Sequence, residues 1–333
     1  MGAGHDVQRA DLDIGKIGVS SSASLPDFKD PCFYRMTNMD HITVCICTFK
    51  RPGMLKELLS TMENQETDNL FRYSIVVIDN DSAESARDTV SSIQKKSEIR
   101  IGYFVEPDQN IALARNKAIE NSEGNFIAFI DDDELPGDHW LLELRNAYYR
   151  FKVDGVLGPV VPKYKVKPPK WVMEGKFYER PSHKTGTILD WKNTRTGNVL
   201  LDRNIFREKE NIFRPEFGRG GEDRDFFRRM IGKKYRFVWC EEAQVHETIT
   251  QERFKRIFMI KRALLRGKIR YDDSLVNLLK SFMAVPVYTL GLPVFLLLGH
   301  HVFMKYVVKN FDHIGKILDF LGFDVVKQKY VTD

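Results

Sequence analysis

Cysteine is scarce, with Cys32, Cys45, Cys47 and Cys240 the only four in 333 residues. Cys45 and Cys47 are spaced C-x-C inside an apolar run. No second pair or nearby histidine completes a zinc set, which excludes a zinc-finger site and a disulfide-stapled fold. They read as buried thiols in a reducing compartment. Net charge is also small, +5 with 29% charged residues. That balance suits a protein that meets anions, without choosing among them. Its basic residues are dispersed and no DNA- or RNA-binding module is visible, so no nucleic-acid partner is expected. Residues 1–30 are polar, carry a serine-rich stretch at 20–24 and lack the apolar segment of a secretory signal. They predict a flexible leader over 1–40. No internal repeat is present.

What is abundant is ordinary core material. Hydrophobic residues make up 43% and aromatics 12%, which excludes disorder of the whole chain. The length fits one large α/β domain with an appendage. Short β-rich apolar runs at 42–48, 74–79, 101–105 and 126–130 predict strands. Between and after them, helical spacing predicts helices from Pro52 and over 85–95, 111–121 and 138–151. This alternation implies right-handed βαβ units and a parallel sheet. Ligands of such sheets bind at the carboxyl ends of the strands, here 48–51, 79–82 and 131–134. Farther on, 155–161, 187–191, 197–201 and 235–245 predict extended segments and 162–181 an ordered loop. Residues 222–231 and 251–267 predict helices.

Three clusters carry chemistry. Asp131-Asp132-Asp133-Glu134 ends the fourth strand. Adjacent carboxylates repel one another unless a cation compensates, and hard oxygens suit Mg²⁺ or Mn²⁺. In an extended stretch Asp131 and Asp133 would face the same ligand. The second cluster is Gly218-Arg-Gly-Gly-Glu222-Asp223-Arg-Asp225. Its glycines allow close backbone approach, and its acids either cap a helix or act as a general base on a sugar hydroxyl. The third, Asn110-Ile-Ala-Leu-Ala-Arg115-Asn116, offers an arginine to the acidic strand end or to a phosphate.

With VCICTFKRP (44–52), VVIDNDS (76–82), GNVLL (197–201) and VHE (245–247), these clusters form an ordered series from about 41 to 247. The series resembles the family 2 inverting glycosyltransferases of GT-A fold. Within that family the chain is most similar to bacterial exopolysaccharide enzymes of the succinoglycan type, through FIDDDE followed by Pro136, Trp140 and Leu141 and through an apolar carboxyl-terminal tail. The resemblance implies a Rossmann-like, mostly parallel sheet flanked by helices over 41–250, with a helical, membrane-associated appendage over 251–333. Thr48, Lys50 and Arg51 would line the nucleotide pocket, Asp79 would accept from the uracil N3–H, and Asn80 and Asp81 would sit beside the base or ribose. Arg115 would brace the diphosphate. Asp131 and Asp132 would approach the nucleotide, and Asp131, Asp133 and His246 would serve the metal, Mn²⁺ or Mg²⁺. Asp223, with Glu222 beside it, matches the acceptor-activating acid. Asn198, Trp171 and Trp191 would meet the donor or acceptor sugar.

The implied partners are a UDP-sugar and a lipid-linked oligosaccharide acceptor, with a homo-oligomer open. Two other readings are a sugar-1-phosphate nucleotidyltransferase and a non-catalytic nucleotide-sugar-binding partner. The first would want a glycine-rich phosphate loop after the first strand, where this chain has Thr48-Phe-Lys-Arg-Pro52. The second has no need of both acidic clusters.

The tail suggests a place of work. No Asp, Glu, Lys or Arg occurs between Lys280 and Lys305, and that run is long enough to cross a bilayer. Pro286, Gly291, Pro293 and Gly299 argue instead for a broken, re-entrant or interfacial helical hairpin. The basic amphipathic segment 251–267, followed by Lys268, is suited to an anionic membrane surface, which implies the cytoplasmic face of the plasma membrane.

Overall fold

The computed structural model describes residues 39–207, 212–218, 220–267, 275–323 and 326. The leader expected over 1–40, except its last two residues, lies outside the described residues, as do Cys32 and Lys268. From Asp40 onward the chain forms one compact unit.

Its first half follows the expected alternation. The elements are β1 (Asp40–Thr48), α1 (Pro52–Met62), β2 (Phe71–Asp79), α2 (Arg87–Gln94), β3 (Ile101–Val105), α3 (Ile111–Glu120), β4 (Phe126–Asp131), β5 (Glu134–Pro136) and α4 (Trp140–Phe151). Then come β6 (Gly155–Leu157), β7 (Val160–Tyr164), α5 (Lys170–Glu174), β8 (Asn198–Asp202), α6 (Glu222–Gly232), β9 (Phe237–Trp239) and β10 (Val245–Ile249). The chain ends in α7 (Arg256–Gly267), α8 (Leu275–Leu297) and α9 (His300–Phe320).

Seven strands form one sheet in the order β3-β2-β1-β4-β8-β6-β9. β1 pairs in parallel with β2 and β4, and β2 with β3, while β8 runs antiparallel to β4 and β6. The register places Thr48 opposite Asp79 and Cys47 opposite Asp131. The polar residues ending β1, β2 and β4 therefore open on one edge of the sheet. Both faces are covered. Leu55, Leu58, Leu59 and Met62 of α1 and Trp140, Leu141 and Leu144 of α4 share one core. Ala114 and Ala118 of α3 and Phe226 and Phe227 of α6 share the other. Cys45 is buried among these residues, and burial pushes its thiol up to about 12.

Several expected elements are cut differently. The 155–161 strand is split between two sheets at Gly158, where a Cβ would lie 2.1 Å from the Ala243 carbonyl oxygen. The expected 235–245 segment becomes β9 in the large sheet and β10 in a second sheet, ordered β5-β10-β7. Residues 187–191 make a single bridge, Ile188 to Val238, and then a 3₁₀ turn, Trp191–Asn193, in which Asp190 accepts from the Lys192 N–H at 2.9 Å. The loop expected over 162–181 starts inside β7 and contains α5. The 251–267 helix begins as a 3₁₀ turn, Gln251–Phe254, and breaks at Lys255 (φ −66°, ψ 132°) before α7.

The apolar tail is a helical hairpin. Pro286 and Pro293 lie inside α8 without ending it, and the chain reverses at Gly299, whose φ is 125°. Asn310 donates to Thr289 Oγ1 at 2.9 Å, and His313 meets Ser281 Oγ at 3.0 Å, so polar side chains join the two helices internally. Outward, α8 exposes Leu279, Met283, Val287 and Leu290.

α9 docks on α7 through two glycines. A Cβ on Gly315 would lie 2.4 Å from the Leu264 carbonyl oxygen, and one on Gly267 would lie 2.3 Å from that of Asp312. Backbone lies against backbone here, so no side chain can yield. Gly315→Val is therefore expected to separate the hairpin from α7 while leaving the sheet folded. Limited proteolysis should show faster cleavage near α7 with the sheet fragment still resistant; an unchanged pattern would refute the docking role.

Candidate active site

A cleft of about 940 Å³ opens at the carboxyl ends of β1, β2 and β4. Thr48, Arg51, Asn80, Arg115, Asp131, Asp132, Asp133, Glu222 and Asp223 all line it. Its floor is a set of ion pairs between four arginines and six carboxylates. Arg115 lies 3.5 Å from Asp131 and pairs closely with Glu222. Arg51 reaches Asp132 at 2.8 Å and Asp133 at 3.4 Å. Arg253 pairs with Asp133 and, at 2.7 Å, with Glu247. Arg180 bonds Glu247 and lies 3.7 Å from Glu134.

Local sequence explains how the parts are held. Asn110 caps α3, its Oδ1 accepting from the Ala112 and Leu113 N–H groups at 3.0 and 3.3 Å. Arg115 then falls on the inner face of α3, three residues beyond Ala112. Gly218 packs against that cap, where a Cβ would lie 1.9 Å from Asn110 Oδ1. Gly221 takes a φ of 95° and starts α6, so that Glu222 enters the cleft as the first helical residue. The glycines of the second cluster thus serve the meeting of α3 with α6. Gly197 serves the acidic end, where a Cβ would sit 2.8 Å from Glu134 Oε1 and 2.9 Å from Asp131 Oδ2.

The consecutive acids differ in their surroundings. Asp132 accepts from Thr48 Oγ1 and from Arg51, both at 2.8 Å, tying the end of β1 to the end of β4. Burial pushes its carboxyl up to about 6, with Arg51 opposing the shift. Glu134 is 1% exposed, and burial beside Asp131 raises it well above the ordinary range. Asp131 keeps 49% of its side chain open to the cleft. Across α6, Glu222 is buried against Arg115, while Asp223 is half-buried, its Oδ1 accepting from the next backbone N–H at 2.7 Å.

The six carboxylates at this end of the cleft are paired with four guanidinium groups, and Asp131 is the acid left half-open to the cleft. Mg²⁺ needs only one or two protein carboxylates beside substrate phosphates. Asp131 and Asp133 both line the cleft, Asp133 engaged by Arg51 and Arg253, and no cluster of three or more His, Cys, Asp or Glu ligands forms among the described residues.

The family model described as Glycosyl transferase family 2 matches residues 43–208. The succinoglycan biosynthesis protein ExoM of Rhizobium meliloti (strain 1021) is 33% identical over 232 residues, 68% of this chain and 73% of that protein. The chain belongs to glycosyltransferase family 2. A GalNAc(5)-diNAcBac-PP-undecaprenol beta-1,3-glucosyltransferase of Campylobacter jejuni subsp. jejuni serotype O:2 is 29% identical over 98 residues, 29% of this chain and 30% of that protein. The S. aureus TarS 1-349 crystal structure in complex with UDP-GlcNAc aligns with a TM-score of 0.47 at 17% identity, covering 72% of this chain and 70% of that chain.

In this family 2 enzyme, several residues expected at the site lie elsewhere. His246 is exposed. It alternates along β10 with Val245 and Glu247, which are buried, and Glu247 faces the cleft. A strand side chain cannot serve both faces, so His246 is no ligand of this cleft. Asp133 does not share an extended strand with Asp131, because β4 ends at Asp131 and a turn follows. Asp79 is fully buried and its oxygens accept from the Asp81 and Ala86 N–H groups and the Tyr103 hydroxyl. Burial raises its carboxyl. It organises the turn into α2 and does not line the cleft. Asn80 does, yet its amide donates to the Glu106 and Asp108 carbonyls and accepts from the Asn110 N–H. Lys50 and Asp81 stand 4.0 Å apart outside the cleft lining.

Asn198 is buried, accepting from Trp140 Nε1 at 2.8 Å and donating to the Pro159 and Ala243 carbonyls. Its place is the joint between the two sheets. Trp171 packs on Phe177 and on His300 of the hairpin, with ring centroids 5.4 Å away in each pair. Trp191 lies between Lys192 and Arg228, 5.6 and 5.5 Å from its ring. Neither tryptophan lines the cleft.

Arg180, Glu247 and Arg253 were missed. Glu247 stands in the VHE string, next to His246. Arg180 belongs to no motif, and Arg253, expected within the membrane-facing basic segment 251–267, is instead buried and meets Asp133 across 120 positions of chain.

Proposed function

We propose that this glycosyltransferase moves a sugar from a UDP-sugar to a lipid-linked saccharide acceptor, by one displacement that inverts the anomeric centre. The observation that carries this reading is a single cleft holding a floor of carboxylates paired with arginines on one side and the half-buried Asp223 on α6. The nucleotide would lie along Thr48–Arg51 and Asn80. A divalent cation held by Asp131 and Asp133 would supply positive charge to the departing diphosphate. Arg115, fixed by Glu222, adds a guanidinium to the same diphosphate. Asp223 takes the proton of the acceptor hydroxyl as its oxygen bonds to the anomeric carbon. The bond from that carbon to the diphosphate oxygen breaks, and its electron pair leaves with UDP.

Support for a lipid-linked acceptor comes from the undecaprenol-linked substrate in the name of the Campylobacter relative and from the apolar helix α8, which is long enough to cross a membrane. We place the enzyme at the cytoplasmic face, with the hairpin in or on the membrane.

The test is a donor screen on full-length protein in detergent, following release of free nucleotide with and without Mn²⁺. UDP release from one UDP-sugar, abolished by EDTA and restored by Mn²⁺, is expected. Full activity in EDTA would sink the metal assignment, and turnover of only a non-uridine donor would sink the base assignment. Asp131→Asn is the cleaner metal variant. Asp133 is bound by Arg51 and Arg253, so its removal also leaves buried guanidinium charge unbalanced.

A further inference from the structure

The same cleft continues past the carboxylates into a basic half. Its wall there is formed by Lys261, Arg262 and Arg266 of α7 and Lys316 of α9, with Ile257 and Leu265 between them. Arg266 is balanced by Asp312, at 3.0 Å. Lys261, Arg262 and Lys316 are exposed, and none makes an ion pair with any described residue. Three cations with no direct ion pair among the described residues line one concave wall, beside apolar side chains and in continuity with Asp223. A ligand matching that wall carries at least two negative charges close together and a hydrocarbon next to them. A flat bilayer surface cannot enter a cleft, whereas a single headgroup can. The wall is made by the helices that lead into and out of the apolar hairpin, and the Gly267–Gly315 crossing holds them in place.

We propose that Lys261, Arg262 and Lys316 bind the diphosphate of a polyisoprenyl-diphosphate-linked acceptor, with the first isoprene units against Ile257 and Leu265. This rests on the acceptor reading above and assigns it a site. Arginine and lysine are both strong phosphate partners. The diphosphate anchors the lipid end of the acceptor, and the saccharide extends along the cleft toward Asp223.

The experiment uses full-length protein in a neutral detergent with Mn²⁺ and saturating UDP, so that the donor diphosphate site is filled. Farnesyl diphosphate is titrated as the probe, with farnesol, inorganic pyrophosphate and phosphatidylglycerol vesicles as comparisons. One saturable farnesyl diphosphate site is expected. The Lys261→Gln/Lys316→Gln double variant should weaken it by about tenfold or more, equivalent to ~1.4 kcal/mol. Both lysines are exposed, so the variant should fold, and an unaltered UDP affinity checks that it has. Equal binding of farnesol, or equal affinity in the double variant, would overturn the proposal. Pyrophosphate binding as tightly as farnesyl diphosphate would assign the wall to a small soluble anion instead. Loss of vesicle binding without a saturable farnesyl diphosphate site would make it a membrane-surface patch. If no UDP binds or is released at all, the functional reading fails; if UDP behaves normally and the prenyl site is missing, only this inference fails.

Discussion

Asp223→Asn is expected to lower kcat by about 10²–10⁴ while nucleotide-sugar affinity stays nearly constant. The substitution keeps size and shape and removes only the proton acceptor. The structure sharpens the choice between neighbouring acids. Glu222 is buried and paired with Arg115, so its charge is committed to holding that guanidinium. Asp223 lies half-buried and lines the cleft. Single-turnover transfer and equilibrium donor binding, measured on the same preparation, separate the two effects. A larger loss in Glu222→Gln than in Asp223→Asn, at unchanged stability, would reverse the roles. Activity untouched by either change would leave both acids as helix caps.

Arg115→Met should be strongly destabilising, by about 3–5 kcal/mol. Its guanidinium side chain is 8% exposed and lies between Glu222 and Asp131. Removing it strands the Glu222 carboxylate in a buried position with its main counter-charge gone. The double variant Arg115→Met/Glu222→Gln should regain most of the lost stability, because a neutral amide is far less costly to bury. On the proposed role of Arg115 at the diphosphate, it should not regain transfer. Denaturant titration of the four members of the cycle gives the coupling between the two residues. A coupling near zero would mean that the pair contributes nothing to the fold.

Much of the architecture was legible in order and type. Strand and helix alternate through the first half because apolar runs of strand length alternate with segments of helical spacing, and that pattern is local. The register that brings Thr48, Asp79 and Asp131 to one sheet edge follows from parallel pairing of those runs. The chain after Phe151 was less legible. Its strands are as short as three residues, as in β6 and β9. Pairing with distant partners, more than local pattern, decides whether so short a segment is extended. The hairpin was readable as apolar and interrupted, but its break point was not. Prolines are tolerated within α8, and the reversal falls at Gly299, where positive φ is needed.

By itself the sequence determined the βαβ alternation, the acidic end of β4, the Arg115 helix and the Glu222-Asp223 pair, because each is written within a dozen neighbouring residues. Tertiary structure alone decided how the charges are shared. It turned Asp79 into the protein and His246 out of the cleft, and it chose Glu247 for the interior of the second sheet. It also brought Arg180 from a loop and Arg253 from the 3₁₀ turn Gln251–Phe254 to the acids. Buried charge has to be balanced in three dimensions, and the balancing group can come from anywhere along the chain. The basic wall formed by α7 and α9 has the same origin: Lys261 and Lys316 stand 55 positions apart in the sequence, and only the glycine crossing between their helices sets them on one surface.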